Sequence, residues 1–89
     1  MAELNVDLVA ADRKIWSGAA LRVSAPAADG EIGILAGHSP LLSVLREGTV
    51  RIALPAGSPV TVRVSGGFLS VDSNQVTIVA DSVESVPSR

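Results

Sequence analysis

The residues best suited to chemistry lie in the stretch GILAGHSPLL, residues 33–42, which holds the only histidine of the 89-residue chain. His38 directly precedes Ser39, and a histidine close to a serine can supply the base and the nucleophile of a hydrolase. Neighbouring side chains on an extended chain point to opposite faces, however, and GHSPL lacks the second glycine of a nucleophile elbow. We therefore predict that His38 is a turn or contact residue and that His38 and Ser39 are not a catalytic pair.

Residues that could hold a metal or a cofactor are few. One histidine, no cysteine and dispersed carboxylates provide no ligand set with a recognisable metal-binding spacing. Gly30, Gly33 and Gly37 match neither the G-x-G-x-x-G nor the G-x-x-x-x-G-K phosphate loop. The net charge of −2, with scattered arginines and only two aromatic residues, argues against nucleic acid as a partner. We predict no metal, no cofactor and no nucleic-acid partner.

Lys14 is the only lysine, and it supports an alternative function. Small all-β carrier domains present a single lysine on a hairpin tip, where biotin or a lipoyl group is attached, and Lys14 lies in the turn-like sequence DRKIW. Those domains place the lysine near mid-chain, whereas Lys14 lies near the N-terminus between Arg13 and Ile15. A carrier domain is the alternative hypothesis. A free-standing ligand-binding sandwich is a third, although no polar cluster indicates a pocket for it.

The elements that must position these residues are indicated by apolar and polar residues that alternate with a period of two. Turn sequences rich in Gly, Pro, Asn and Asp separate the alternating runs at roughly ten-residue intervals, as in an all-β sandwich or small barrel. LLSVL, residues 41–45, fits a strand or one helical turn, and we favour the strand. The apolar members of the alternating runs are Leu4, Val6 and Leu8; Leu21 and Val23; Val50, Ile52 and Leu54; Val60, Val62 and Val64; and Val76, Ile78 and Ala80.

One domain of residues 1–81 is expected, followed by a short irregular tail over residues 82–89, where the alternation is lost. The composition is 47% hydrophobic with one Trp and one Phe, so the core must be aliphatic. Acidic residues in the sequence MAELNVD do not fit a signal peptide, and no apolar run approaches the roughly 20 residues that span a bilayer. We expect a soluble, intracellular protein. Gly66-Gly67 predicts a bulge or a close approach of two backbones.

Four blocks of the chain resemble, in order and spacing, the ε subunit of F-type ATP synthase, which corresponds to δ in mitochondria. They are NVDLVAADRKIWSG at residues 5–18, GEIGILAGHSPLL at 30–42, SGGFLSV at 65–71 and NQVTIVAD at 74–81. The resemblance implies a flattened sandwich of about ten short, mostly antiparallel strands. It also implies a non-catalytic rotor subunit of the central stalk, which couples the γ subunit to the ring of c subunits during ATP synthesis.

The resemblance further implies where the partners bind. Glu31 would face the c ring, and His38 and Ser43 would lie toward γ, with Pro40, Leu41 and Leu42 completing the partner interface. The protein would lie on the cytoplasmic face of the bacterial cell membrane, without inserting into it. Most bacterial members continue into a helical hairpin that can inhibit hydrolysis. We expect that hairpin to be absent here, and its regulatory role is not carried over.

Overall fold

The computed structural model describes residues 3–85, which form ten β-strands. Residues 3–85 contain no helix that could cross a membrane, because every element in this part of the chain is a strand. The all-β prediction is confirmed. The strands are β1 (Leu4–Ala10), β2 (Arg13–Ala20), β3 (Arg22–Ala27), β4 (Gly30–Leu35), β5 (Leu41–Leu45), β6 (Gly48–Ala53), β7 (Val60–Val64), β8 (Gly67–Asp72), β9 (Gln75–Ala80) and β10 (Val83–Ser85).

The strands form two halves of a sandwich that meet at one corner. In the first sheet β10, β7, β6, β3 and β4 are neighbours in that order, and in the second sheet the order is β5, β8, β9, β1, β2. A single residue pair, Ala27 opposite Leu45, joins the two sheets through β3 and β5. Every pairing is antiparallel except that of β1 with β9. The predicted β-sandwich, with its mostly antiparallel strands, is confirmed.

The core between the sheets is made of aliphatic side chains, because alternate residues of each strand point inward. Leu8 on β1 and Ile78 on β9, for example, are paired across the ladder and are fully buried. Each buried Val, Leu or Ile contributes about 1.5–3 kcal/mol of hydrophobic stabilisation. Trp16 is only half-buried and packs against the edge of this core. The buried set is Leu4, Val6, Leu8, Ala20, Val23, Ala25, Ala27, Ile34, Leu45, Val50, Ile52, Val62, Val64, Leu69, Val71, Val76, Ile78 and Ala80.

Three local expectations can be compared with the strands. LLSVL is strand β5, as favoured. Leu21 does not share the buried face of Val23, because it lies in the bend between β2 and β3 and is exposed. The tail is not irregular throughout: residues 83–85 form β10, which pairs with β7 and packs Val83 against the core. The rest of the predicted tail, residues 86–89, lies outside the described residues.

Candidate protein-docking face

The outer surface of the second sheet carries a continuous row of apolar side chains. The ladder places Val44 of β5 opposite Phe68 of β8, Phe68 opposite Val79 of β9, and Val79 opposite Val9 of β1. Leu42, two residues before Val44, points to the same side. Four of these side chains are largely exposed: the exposed fraction is 73% for Leu42, 56% for Val44, 52% for Phe68 and 40% for Val79. We call these four residues the apolar face.

A polar border lies beside the apolar face on the same surface. The neighbouring row of the ladder places Ser70, Thr77 and Asp7 side by side on β8, β9 and β1. Asp7 accepts a hydrogen bond from Gln75 Nε2 at 3.1 Å and lies 3.7 Å from Lys14 Nζ. An apolar centre with a polar, partly charged rim is the usual anatomy of a protein–protein interface.

The loop of residues 36–40 leads directly into β5 and thus borders the apolar face. His38 N donates to Leu35 O at 3.1 Å, which closes a turn, and Gly37 N donates to Asn74 Oδ1 at 2.8 Å. The His38 imidazole contacts the backbone of the next residue, since Nδ1 donates to Ser39 O at 2.7 Å. The imidazole is therefore bonded to the Ser39 carbonyl and not to the hydroxyl that a nucleophile would use.

The structure divides the interface that the sequence predicts. Pro40 and Leu42 are exposed, and His38 is half-buried at the start of the same segment. Leu41 is half-buried and packs against the core, because alternation along β5 turns it inward while Leu42 points outward. Ser43, half-buried, lies on the same side of β5 as Leu41. Leu41 thus packs against the edge of the core, and its place in the partner interface stays a prediction.

Glu31 belongs to a different surface. It is exposed on β4, opposite Pro26, in the first sheet. There it borders an open groove of about 630 Å³, and nearby Arg46 Nε donates to Ala27 O at 3.0 Å. The groove carries two arginines and two glutamates, so its charges are mixed. Its lining residues are Ser24, Pro26, Glu31, Arg46, Glu47, Gly48, Thr49 and Arg51.

Lys14 does not lie on a hairpin tip. The turn consists of residues 11 and 12, and Lys14 lies on β2, opposite Val9. Its ammonium group faces Asp7 in an exposed ion pair. The carrier hypothesis requires the lysine at the hairpin tip, and residues 11 and 12 occupy that tip instead. Within residues 3–85, no group of three or more His, Asp or Glu side chains is placed to hold a metal ion.

Sequence reasoning missed three members of the apolar face: Val44, Phe68 and Val79. Each stands next to a buried residue of the same strand, in the pairs Val44-Leu45, Phe68-Leu69 and Ile78-Val79. In a strand, neighbours point to opposite faces, so two adjacent large apolar residues place one of them outside. Apolar pairs in three adjacent strands were the signal that could have revealed this face.

Comparison with known proteins gives consistent matches. The family described as "ATP synthase, Delta/Epsilon chain, beta-sandwich domain" matches residues 3–86. The chain is 54% identical over 82 residues to the ATP synthase epsilon chain of Micrococcus luteus, which covers 92% of this chain and 90% of that protein. It is 48% identical over 85 residues to the epsilon chain of Rhodococcus opacus, covering 94% of this chain and 70% of that protein.

Two solved structures share the fold. A chain of the Euglena gracilis mitochondrial ATP synthase (OSCP/F1/c-ring) superposes with a TM-score of 0.89 at 24% identity. The match covers 96% of this chain but only 54% of the Euglena chain, so the present chain spans about half of its length. A chain of the Tetrahymena thermophila central stalk/c-ring structure gives 0.81 at 18% identity, covering 94% of this chain and 67% of that one.

Proposed function

The chain belongs to the delta/epsilon β-sandwich family of ATP synthase, and from that premise we propose that it is a non-catalytic rotor subunit whose apolar face binds the γ subunit of the central stalk. It couples γ to the c-subunit ring as a peripheral component on the cytoplasmic face of a bacterial cell membrane. The observation that carries this proposal is the exposed apolar row on the second sheet.

The apolar face has the chemistry of a docking surface. Contiguous apolar side chains on the outside of a sheet gain about 25 cal/mol per Å² when a partner removes them from water. Phe68 lies in the middle of the row, between Val44 and Val79, where a large rigid side chain is best placed to act as an anchor. The polar border excludes water around such an anchor without itself supplying much affinity.

His38 extends the docking surface along the chain. The 36–40 loop continues into β5, and Leu42 follows His38 by four residues. A partner that covers Leu42 therefore reaches the His38 loop as well. His38 is half-buried, and its Nδ1 is already bonded to a backbone carbonyl. Its Nε2 and the edge of its ring are the parts of the side chain that γ would contact.

A second contact, with the c ring, is assigned to the end of the first sheet that carries Glu31. The groove beside Glu31 is polar and of mixed charge, with Arg46 and Arg51 among its lining residues. Such a surface suits a polar, hydrogen-bonding partner segment, in contrast to the apolar face. The two contacts lie on different sheets, so one domain can hold both partners at once.

A coupling subunit must transmit torque without deforming, and the packing supports that role. The core consists of close-packed aliphatic side chains, and close-packed protein interiors have low compressibility. The two sheets are joined at the β3–β5 corner as well as through the core. The proposed coupling role requires no catalytic residue in this domain.

Capture by the purified γ subunit, without the c ring, tests the proposal with a matched pair of variants. Val44→Asp places a charge in the apolar face and is expected to weaken capture at least about tenfold. Thr61→Asp changes a side chain of similar shape on the outer side of the first sheet, opposite Arg51, and is expected to leave capture unchanged. Both variants should keep the melting temperature of the wild type. Wild-type capture by Val44→Asp would contradict the assignment of γ to this face.

A further inference from the structure

The turn between β8 and β9 has an unusual backbone. Its two central residues, Ser73 and Asn74, have φ values of 52° and 65°, and they are the non-glycine residues with positive φ among residues 3–85. Positive φ at both central positions is the pattern of a type I′ hairpin turn, which suits the twist of the flanking strands. Asn adopts this conformation more readily than most residues, because its short polar side chain bonds locally.

The Asn74 side chain does not bond within its own turn. Its Oδ1 accepts the Gly37 N–H at 2.8 Å, which links positions 37 residues apart. The Asn74 main-chain oxygen accepts the Asn5 N–H at 2.8 Å, so the residue is also fixed to the start of β1. Asn74 therefore connects the loop of residues 36–40 to the second sheet.

The loop has little else to hold it at this point. Gly37 is exposed, has a φ of 88° and has no heavy atom within 4 Å of the position a Cβ would take. Ser39 and Pro40 are exposed too. The other main-chain bond of the loop, from His38 N to Leu35 O, closes a local turn but does not tie the loop to the second sheet.

We propose that Asn74 is a positioning residue for partner binding, acting through the Gly37 amide to hold residues 36–40 so that His38 lies beside the apolar face. This inference rests on the proposed function, because the partner concerned is γ. A loop already held in its bound conformation loses less conformational freedom on association, and the partner binds more tightly. Asn74 itself need not touch γ.

Three substitutions separate this role from a merely structural one. Asn74→Gly keeps a residue that tolerates positive φ but removes the acceptor oxygen. Asn74→Asp keeps an acceptor at the same place and also tolerates positive φ. Ser73→Gly is the matched control, since Ser73 lies in the same turn and its hydroxyl donates only to Asp72 Oδ1, at 3.2 Å.

The measurements are titration with purified γ subunit and hydrogen exchange of the Gly37 amide by NMR, on the full chain. For Asn74→Gly we expect γ affinity to fall about 3- to 10-fold and Gly37 exchange to accelerate by a similar factor. For Asn74→Asp and Ser73→Gly we expect both quantities to stay within about twofold of the wild type.

The proposal is overturned if Asn74→Gly binds γ like the wild type, if Asn74→Asp is as weak as Asn74→Gly, or if Gly37 exchange does not change. Failure of the wild-type chain to bind γ is a different result. It would remove the proposed function, while the exchange of the Gly37 amide in Asn74→Gly would still decide whether Asn74 holds the loop.

Discussion

Gly67 lies so close to the backbone of Val79 that a Cβ at residue 67 would overlap the Val79 carbonyl oxygen. Gly67 begins β8 opposite Ala80 of β9 and has a φ of 143°. The close backbone approach predicted from Gly66-Gly67 is therefore confirmed at Gly67. Gly67 directly precedes Phe68, so this close contact lies beside two residues of the apolar face, Phe68 and Val79.

Replacing Gly67 by Ala should destabilise the domain by at least about 2 kcal/mol, because steric overlap adds to backbone strain. Gly57→Ala is the control: its φ of 89° is also left-handed, but no heavy atom lies within 4 Å of a Cβ there. Strain alone predicts a loss of about 1 kcal/mol for Gly57→Ala. Urea unfolding of both variants measures the difference, and equal losses would show that the contact with Val79 does not matter.

Truncation of the adjacent residues Leu41 and Leu42 should change the free energy of unfolding by different amounts. Leu41→Ala removes a side chain packed against the core and should cost about 1–3 kcal/mol of unfolding free energy, since Leu41 is only partly buried. Leu42→Ala should change stability by less than about 0.5 kcal/mol, because Leu42 is 73% exposed.

For γ binding the order is reversed. Leu42→Ala removes part of the apolar face and should weaken γ affinity by about 1 kcal/mol or more, whereas Leu41→Ala should change it little once folding is complete. Urea unfolding and titration with γ give the two numbers for each variant. If Leu41→Ala impaired binding more than Leu42→Ala, the orientation of β5 relative to γ would be wrong.

The strands were predictable from sequence because one physical rule, the alternation of side chains across a sheet, applies locally. Leu4, Val6 and Leu8 are buried as that rule requires, and the residues between them face outward. The rule fails where the sequence pattern does not show whether a residue lies in a strand. Leu21 lies in a bend and not in a strand, and β10 forms because the edge of β7 is free to pair with it.

The candidate site was predictable only in part, because it is assembled from strands distant in sequence. The segment containing His38, Pro40 and Leu42 could be found as a motif. Phe68 and Val79 join it only through the β5–β8–β9 order, which no local pattern specifies. The bond between Asn74 and Gly37 links a side chain to a main-chain group 37 positions away, and residue types alone do not indicate such a bond.

Lys14 should remain unmodified and should contribute little to stability. Its ion pair with Asp7 spans 3.7 Å between exposed side chains, and exposed pairs of this kind are worth about 0–1 kcal/mol. Lys14→Ala should therefore change the unfolding free energy by less than about 1 kcal/mol. The intact mass after co-expression with a biotin or lipoyl ligase checks the chemistry. An added mass of either group on Lys14 would support the carrier hypothesis instead.

His38→Ala should leave folding nearly intact and weaken γ binding by about 1–2 kcal/mol, which is the size of effect expected of an interface hot spot. The fold is expected to survive because the bond that the His38 side chain makes, to Ser39 O, is local to the loop. Ser39→Ala is the matched control, since that bond uses the Ser39 carbonyl and its exposed hydroxyl is not needed. Titration of γ with each variant measures the two effects. Equal affinities for wild type and His38→Ala would restrict the γ contact to the apolar face, and the loop that Asn74 holds would then have no part in binding.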